Sequence, residues 1–182
     1  MKKIIVLILS CSMLLALAAC NKNTAGTEAS VSSDVEQSAS QQSMGIPNPW
    51  TEQSDIAAAN KACGMNIVFP DELKGADTAF RTMDDKMIEV TGMFCDTGLT
   101  FRAMKGDKAE DISGDYNEYS ALNEQKFKGL TVFSRSNSND TADVVYWNDG
   151  TNNYSVVFGS PVSLESVNDI LDSLITANSQ AY

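Results

Sequence analysis

MIEVTGMFCDTGLTFRAMK, residues Met87–Lys105, is the stretch on which the fold turns. Its apolar side chains recur at alternate positions, with Ile88, Val90 and Phe94 in the first half and Leu99, Phe101 and Ala103 in the second. Glu89, Thr91, Thr100 and Arg102 fall between them. A period of two is the signature of a pleated strand with one buried face. Asp96-Thr97-Gly98 lies between the halves as a short hairpin connection, so the stretch predicts antiparallel strands over Met87–Cys95 and Leu99–Lys105. Upstream, Ala79–Met83 is a further strand, joined through Asp84-Asp85-Lys86.

Downstream, residues 106–120 interrupt the pattern with five acids, two tyrosines and no apolar periodicity. Loops of this length inside a compact domain are uncommon and are often functional. Strands resume over Gln125–Lys128, Leu130–Arg135, Ala142–Asn148 and Asn153–Gly159, and Asn148-Asp149-Gly150 is a strong hairpin signal. Apolar residues on both faces of the last pair, Val144 to Trp147 and Val156 to Phe158, place these strands centrally, covered in part on both sides. The chain then predicts a helix: Ser163 caps it, Glu165 suits its first turn, and Leu164, Val167, Ile170, Leu171, Leu174 and Ile175 form one stripe. Before the strands, Ser54–Cys63 reads as a shorter helix, capped by Thr51 or Ser54 and stopped by Gly64. Asn66–Phe69 follows as a short strand ended by Pro70. The expected class is α+β: a twisted antiparallel sheet of six to eight strands, with an N-terminal and a C-terminal helix packed on it.

The first residues read differently. Met1-Lys2-Lys3 is basic, and Ile4–Ala19 is apolar apart from Ser10 and Ser12. That run is shorter than the roughly 20 residues of a membrane span and fits a secretory signal. It ends in Leu17-Ala18-Ala19-Cys20, which resembles the lipobox of bacterial lipoproteins. The resemblance implies cleavage before Cys20, a diacylglycerol thioether on its sulfur, and often N-acylation with a fatty acid such as palmitate. Residues 1–19 are then signal, residues 20–46 a lipid-anchored, Ser- and Gln-rich tether, and residues 47–182 one domain. Trp50, the first large apolar group after Pro47 and Pro49, reads as the plug that starts the domain or as a ligand contact.

Removing Lys2 and Lys3 from the 13 basic residues leaves 11 against 24 acidic ones, a net charge of −13. Such a surface repels nucleic acid. With Cys11 in the signal and Cys20 lipidated, Cys63 and Cys95 remain, either as an extracytoplasmic disulfide or as two buried thiols. The chain has no His, which removes His-based triads and His-ligated zinc. It carries no phosphate-cradling Gly loop of recognised spacing and no CxxC, and nothing calls for a cofactor or metal. Asp111 and Asp115 flank Gly114, but without the alternating ligands of a helix–loop–helix calcium site. Arg81 and Arg102 read as paired surface groups rather than anion hooks.

Asn48-Pro49-Trp50, Met87-Ile88-Glu89-Val90, Arg102–Gly106, Asp111-Ile112-Ser113-Gly114-Asp115-Tyr116 and Trp147–Gly150 together resemble a family of small, uncharacterised lipoproteins from anaerobic low-GC Gram-positive bacteria. The resemblance covers about residues 47–177 and implies a boundary, with no activity attached. Function is therefore expected to be that of a membrane-tethered, extracytoplasmic and non-enzymatic binding or sensory module. Its partner is a protein, glycan or small molecule, and Trp50, Arg102, Asp111, Asp115, Tyr116 and Tyr119 are its candidate contacts. The alternatives are a carrier or chaperone holding an apolar ligand on a curved sheet, and a carboxylate-dependent hydrolase.

Overall fold

The computed structural model describes residues 48–94 and 96–179. Its strands are β1 (Trp50–Gln53), β2 (Ala79–Met83), β3 (Met87–Phe94), β4 (Thr97–Lys105), β5 (Ala121–Phe127), β6 (Leu130–Ser136), β7 (Thr141–Asn148) and β8 (Asn152–Ser163). They form one open antiparallel sheet in the order β1-β2-β3-β4-β8-β7-β6-β5, accompanied by α1 (Ile56–Cys63) and α2 (Leu164–Ser179). This is the expected α+β class at the upper end of the expected strand number.

Period-two patterning sets the layers. Ile88, Val90, Leu99, Phe101, Ala103, Val145, Trp147, Tyr154, Val156 and Phe158 all enter one core. Val167, Ile170, Leu171, Leu174 and Ile175 of α2 close that core, with Ala59 and Cys63 of α1. Each buried aliphatic contributes on the order of 1.5–3 kcal/mol. Phe101, Tyr154 and Trp147 stand side by side on β4, β8 and β7, with ring centroids 6.1 and 5.1 Å apart. The opposite face of the sheet carries no helix.

Local details differ from the expectation in four places. Helix α1 is capped by Asp55, not Thr51 or Ser54: its Oδ1 accepts from Ala58 N at 2.8 Å, which holds the carboxyl below its ordinary value. Trp50 lies in a strand, because the free edge of β2 offers a ladder to the four residues Trp50–Gln53. The β3–β4 connection falls earlier than Asp96-Thr97-Gly98: Phe94 already pairs with Thr97, and Asp96 between them sits at φ 64°. Asn66–Phe69 is no strand. Two carboxamides pair its backbone instead. Asn60 accepts from Ile67 N at 2.8 Å and donates to Ile67 O at 2.7 Å, and Asn178 accepts from Val68 N at 3.0 Å and donates to Val68 O at 2.9 Å.

The alternative of a Cys63–Cys95 disulfide is also corrected. Cys63 is a free, buried thiol that donates to Met87 O at 3.6 Å, and burial raises its pKa. Cys95 lies outside the described residues. Cys20 and the lipobox also lie outside the described residues. Among the described residues, no helix is long and apolar enough to cross a membrane.

Candidate functional site

The helix-free face is organised by one row of side chains. Strand registers place Glu52, Arg81, Glu89, Arg102, Ser155, Tyr146, Phe133 and Glu124 directly opposite one another across all eight strands. At its centre Glu89 is fully buried. Arg81 Nε donates to Glu89 Oε1 at 2.5 Å and Arg102 Nε to Oε2 at 2.7 Å, so each carboxylate oxygen meets its own guanidinium. A carboxylate this far from water persists only when both oxygens are paired. Trp50 covers the triplet, its ring centroid 4.9 Å from the Arg81 guanidinium carbon and 5.3 Å from that of Arg102, both within cation–π range.

Residues 106–120 lie over the same face, and topology explains why. They must link β4 to β5, and β8, β7 and β6 stand between those strands. The segment crosses as a clasp. It starts pinned to the β7–β8 hairpin, where Asn148 Nδ2 donates to Gly106 O at 2.8 Å, and then Glu110 N donates to Asn153 Oδ1 at 3.0 Å. Arg102 Nη1 donates to the carbonyls of Ile112 and Ser113. Arg135 on β6 holds the next turn: it meets Asp111 Oδ2 at 2.9 Å, Ser113 Oγ at 3.2 Å and Asp115 O at 3.1 Å, and lies 5.3 Å from the Tyr119 ring.

The Asp-Ile-Ser-Gly-Asp-Tyr wording supplies that geometry. Asp111 Oδ1 accepts from Ser113 N at 2.9 Å and Asp115 Oδ1 from Asn117 N at 2.8 Å, two side-chain turns in succession. Gly114 sits at φ +67°, and a Cβ there would come within 2.2 Å of Arg102 Nη1, so the clasp requires glycine. Ile112 and Ser113 are buried beneath it. Tyr119 donates to Asp115 Oδ2 at 3.0 Å; burial, then this carboxylate, raises its hydroxyl pKa.

Five of the six candidate contacts therefore gather on one face, each with internal partners: Trp50, Arg102, Asp111, Asp115 and Tyr119. Tyr116 is the sixth, and it projects from the clasp 95% exposed. Leu122, at the start of β5, is 72% exposed. Next to it a cavity of about 260 Å3 is lined by Leu122, Glu124, Phe133, Arg135 and Tyr146, with the Phe133 and Tyr146 rings stacked at 5.0 Å. Reasoning from sequence alone did not single out Glu89, Leu122, Phe133, Arg135 or Tyr146. Arg135 is the one basic residue between Gly129 and Tyr182, a signal that went unused.

The pairing expected of Arg81 and Arg102 is present, but its partner is a buried acid rather than a surface one. Glu89, Asp111 and Asp115 are each bound to donors on the chain. Among the described residues, no group of three or more His, Cys, Asp or Glu side chains could hold a metal ion. The helix-covered face, where an apolar carrier would seat its ligand, is packed with the side chains of α1, α2, Ile67, Phe69 and Leu73. The chain matches no protein-family model, no curated protein and no solved structure.

Proposed function

We propose that the chain is a lipid-anchored binding module of the extracytoplasmic side, tied to the membrane through Cys20, whose ligand surface is the helix-free face beside the 106–120 clasp. The observation that carries the reading is Tyr116: a large aromatic held 95% exposed on a loop whose neighbours are fixed by Arg102 and Arg135. A side chain presented by a pre-ordered loop loses little entropy on contact, and tyrosine offers both apolar area and a polar end. Leu122 and the Phe133–Tyr146 cavity extend the contact area beside it.

The module is read as non-enzymatic. General acid–base work needs a titratable group free to exchange its proton with substrate. Asp111 and Asp115 of the clasp and Glu89 at the row's centre are committed instead to guanidinium groups, backbone amides and Tyr119. The strongly acidic chain argues against nucleic acid and leaves a protein, a glycan or a small molecule as partner.

The test has two arms. In the first, Cys20→Ser should move the full chain from the detergent phase to the aqueous phase and leave the signal uncleaved. In the second, the mature chain carrying Tyr116→Ala and Leu122→Ser should keep its melting temperature but lose whatever the wild-type chain retains from solubilised cell envelope. Unchanged partitioning overturns the anchor. Retention that survives the double substitution overturns the surface.

A further inference from the structure

Strand order leaves β5 at one end of the sheet, so among the described residues its outer edge meets no strand. At the other end β1 offers only the four residues Trp50–Gln53, preceded by Pro47 and Pro49, which have no N–H to give a ladder. β5 offers seven, Ala121–Phe127, with no proline or glycine and no register shift in its pairing to β6. A long, regular edge of this kind is a template for another strand.

The β5–β6 hairpin fixes which backbone groups face outward. Phe127 pairs with Leu130 across Lys128 and Gly129, which sit at φ 47° and 84° as in a type I′ turn. Such a turn bonds its first carbonyl to its fourth N–H, so Phe127 and Leu130 form a hydrogen-bonded pair. Bonded and non-bonded pairs then alternate along an antiparallel ladder. The backbones of Phe127, Gln125, Asn123 and Ala121 are therefore spent on β6, and those of Lys126, Glu124 and Leu122 point off the sheet.

Charge selects the strand that fits there. Glu124 and Lys126 stand two positions apart on the same face, both exposed, and neither makes an ion pair among the described residues. Such an edge repels a strand carrying like charges at the same positions. A second copy of β5, run antiparallel, can meet each charge with its opposite. A two-fold about Glu124 sets Glu124 against Glu124, and one about Asn123 sets it against Leu122. A two-fold about Gln125 sets Glu124 opposite Lys126 on both sides of the axis, with the outward backbones of both residues facing each other. On the flank of α2 that Gln125 reaches through Asn168, Asp172 is already paired with Lys128, which lowers the repulsion between the two acidic bodies.

We propose that β5 is a self-association edge, pairing antiparallel with β5 of a second copy about a two-fold at Gln125. The contact is the same patch on both partners, so it closes at a dimer instead of growing into a fibre. Residues directly opposite across a ladder share a face, so the two helix-free faces join into one surface with both clasps on the same side. A ladder this short belongs among the weak interfaces, and a Kd on the order of 10–100 μM is expected. The inference is independent of the ligand reading of the helix-free face.

All described elements and the whole core lie within residues 48–179, so the chain from residue 20 with Cys20→Ser, kept in reductant, suits the test. Sedimentation equilibrium up to about 500 μM, well above the expected Kd, should show a concentration-dependent dimer. Glu124→Lys and Lys126→Glu should each weaken it at least about tenfold, since each sets like charges opposite one another on both sides of the axis. The two substitutions move the net charge in opposite directions, so a loss in both is not an effect of overall charge. Mixed in equal amounts, the two variants should pair with each other at least as tightly as the wild type pairs with itself, because the basic edge of one faces the acidic edge of the other. Should either fold poorly, the double variant Glu124→Lys/Lys126→Glu, which restores every opposite pair, should dimerise as the wild type does. A wild type that stays monomeric throughout, a dimer that neither substitution weakens, or a mixture no tighter than its components would overturn the proposal.

Discussion

Replacing Glu89 by Gln changes one atom's charge and almost nothing of its volume, so any large effect reports on the ion triplet itself. Glu89 is fully buried, while the Arg81 and Arg102 side chains are 33% and 19% exposed. Removing one partner from a buried ion pair costs roughly 3–5 kcal/mol, because the remaining charge is stranded. Partial exposure of both arginines lets water offset some of that, which brings the expectation to about 2–4 kcal/mol. In a domain of this size each kcal/mol lowers the melting temperature by about 3–4 °C, so the fall should be about 6–16 °C. Urea denaturation of wild type and Glu89→Gln, with the slope unchanged, measures the loss directly. The damage should also spread. Arg102 holds the Ile112 and Ser113 carbonyls, so amide exchange in residues 106–120 should quicken more than in α2. A change below about 0.5 kcal/mol, the level of an ordinary surface substitution, would refute the view that this triplet anchors the clasp.

Three further outcomes follow from the same contacts. Gly114→Ala forces a side chain into a left-handed backbone and against Arg102, costing about 1–3 kcal/mol, and amide exchange should show the loop opening while the sheet stays protected. Asn178→Ala strips both backbone partners from Val68, which is partly exposed, so chemical denaturation should register a loss of about 2 kcal/mol. Asp149 has its folded-state pKa lowered, so its contribution is present above the unfolded value of about 3.9 and is lost as pH falls through the lower folded value. Asp149→Asn should therefore be less stable than wild type at pH 7 and show a shallower decline below about pH 4 in thermal scans.

The parts of the fold that sequence reading captured are those governed by neighbours along the chain. Alternation in Met87–Lys105 placed Ile88, Val90, Leu99, Phe101 and Ala103 on one face and Glu89 and Arg102 on the other, as the registers have it. The stripe from Val167 to Ile175 is likewise a property of one helix. What escaped depends on distant partners. Asn66–Phe69 has the composition of a strand, but its backbone is met by carboxamides seven and 110 positions away. Arg102 was expected at the surface because the groups that bury Glu89 beneath it, Trp50 and the crossover, come from elsewhere in the chain. The crossover itself stood out as a loop, but only the strand order shows that it must span three strands. Cysteine counting suggested a bridge, whereas Cys63 is a free thiol set among the core side chains.

The central claim is that an anchored chain meets its partner through the helix-free face. A photo-crosslinking residue placed at 116 in the lipid-anchored chain, and in a second version at Asp169 on the exposed side of α2, tests this in intact cells. The account predicts an adduct from position 116 that is absent from position 169 and lost when Cys20→Ser releases the chain. No adduct at 116, or the same adduct from both positions, would contradict it.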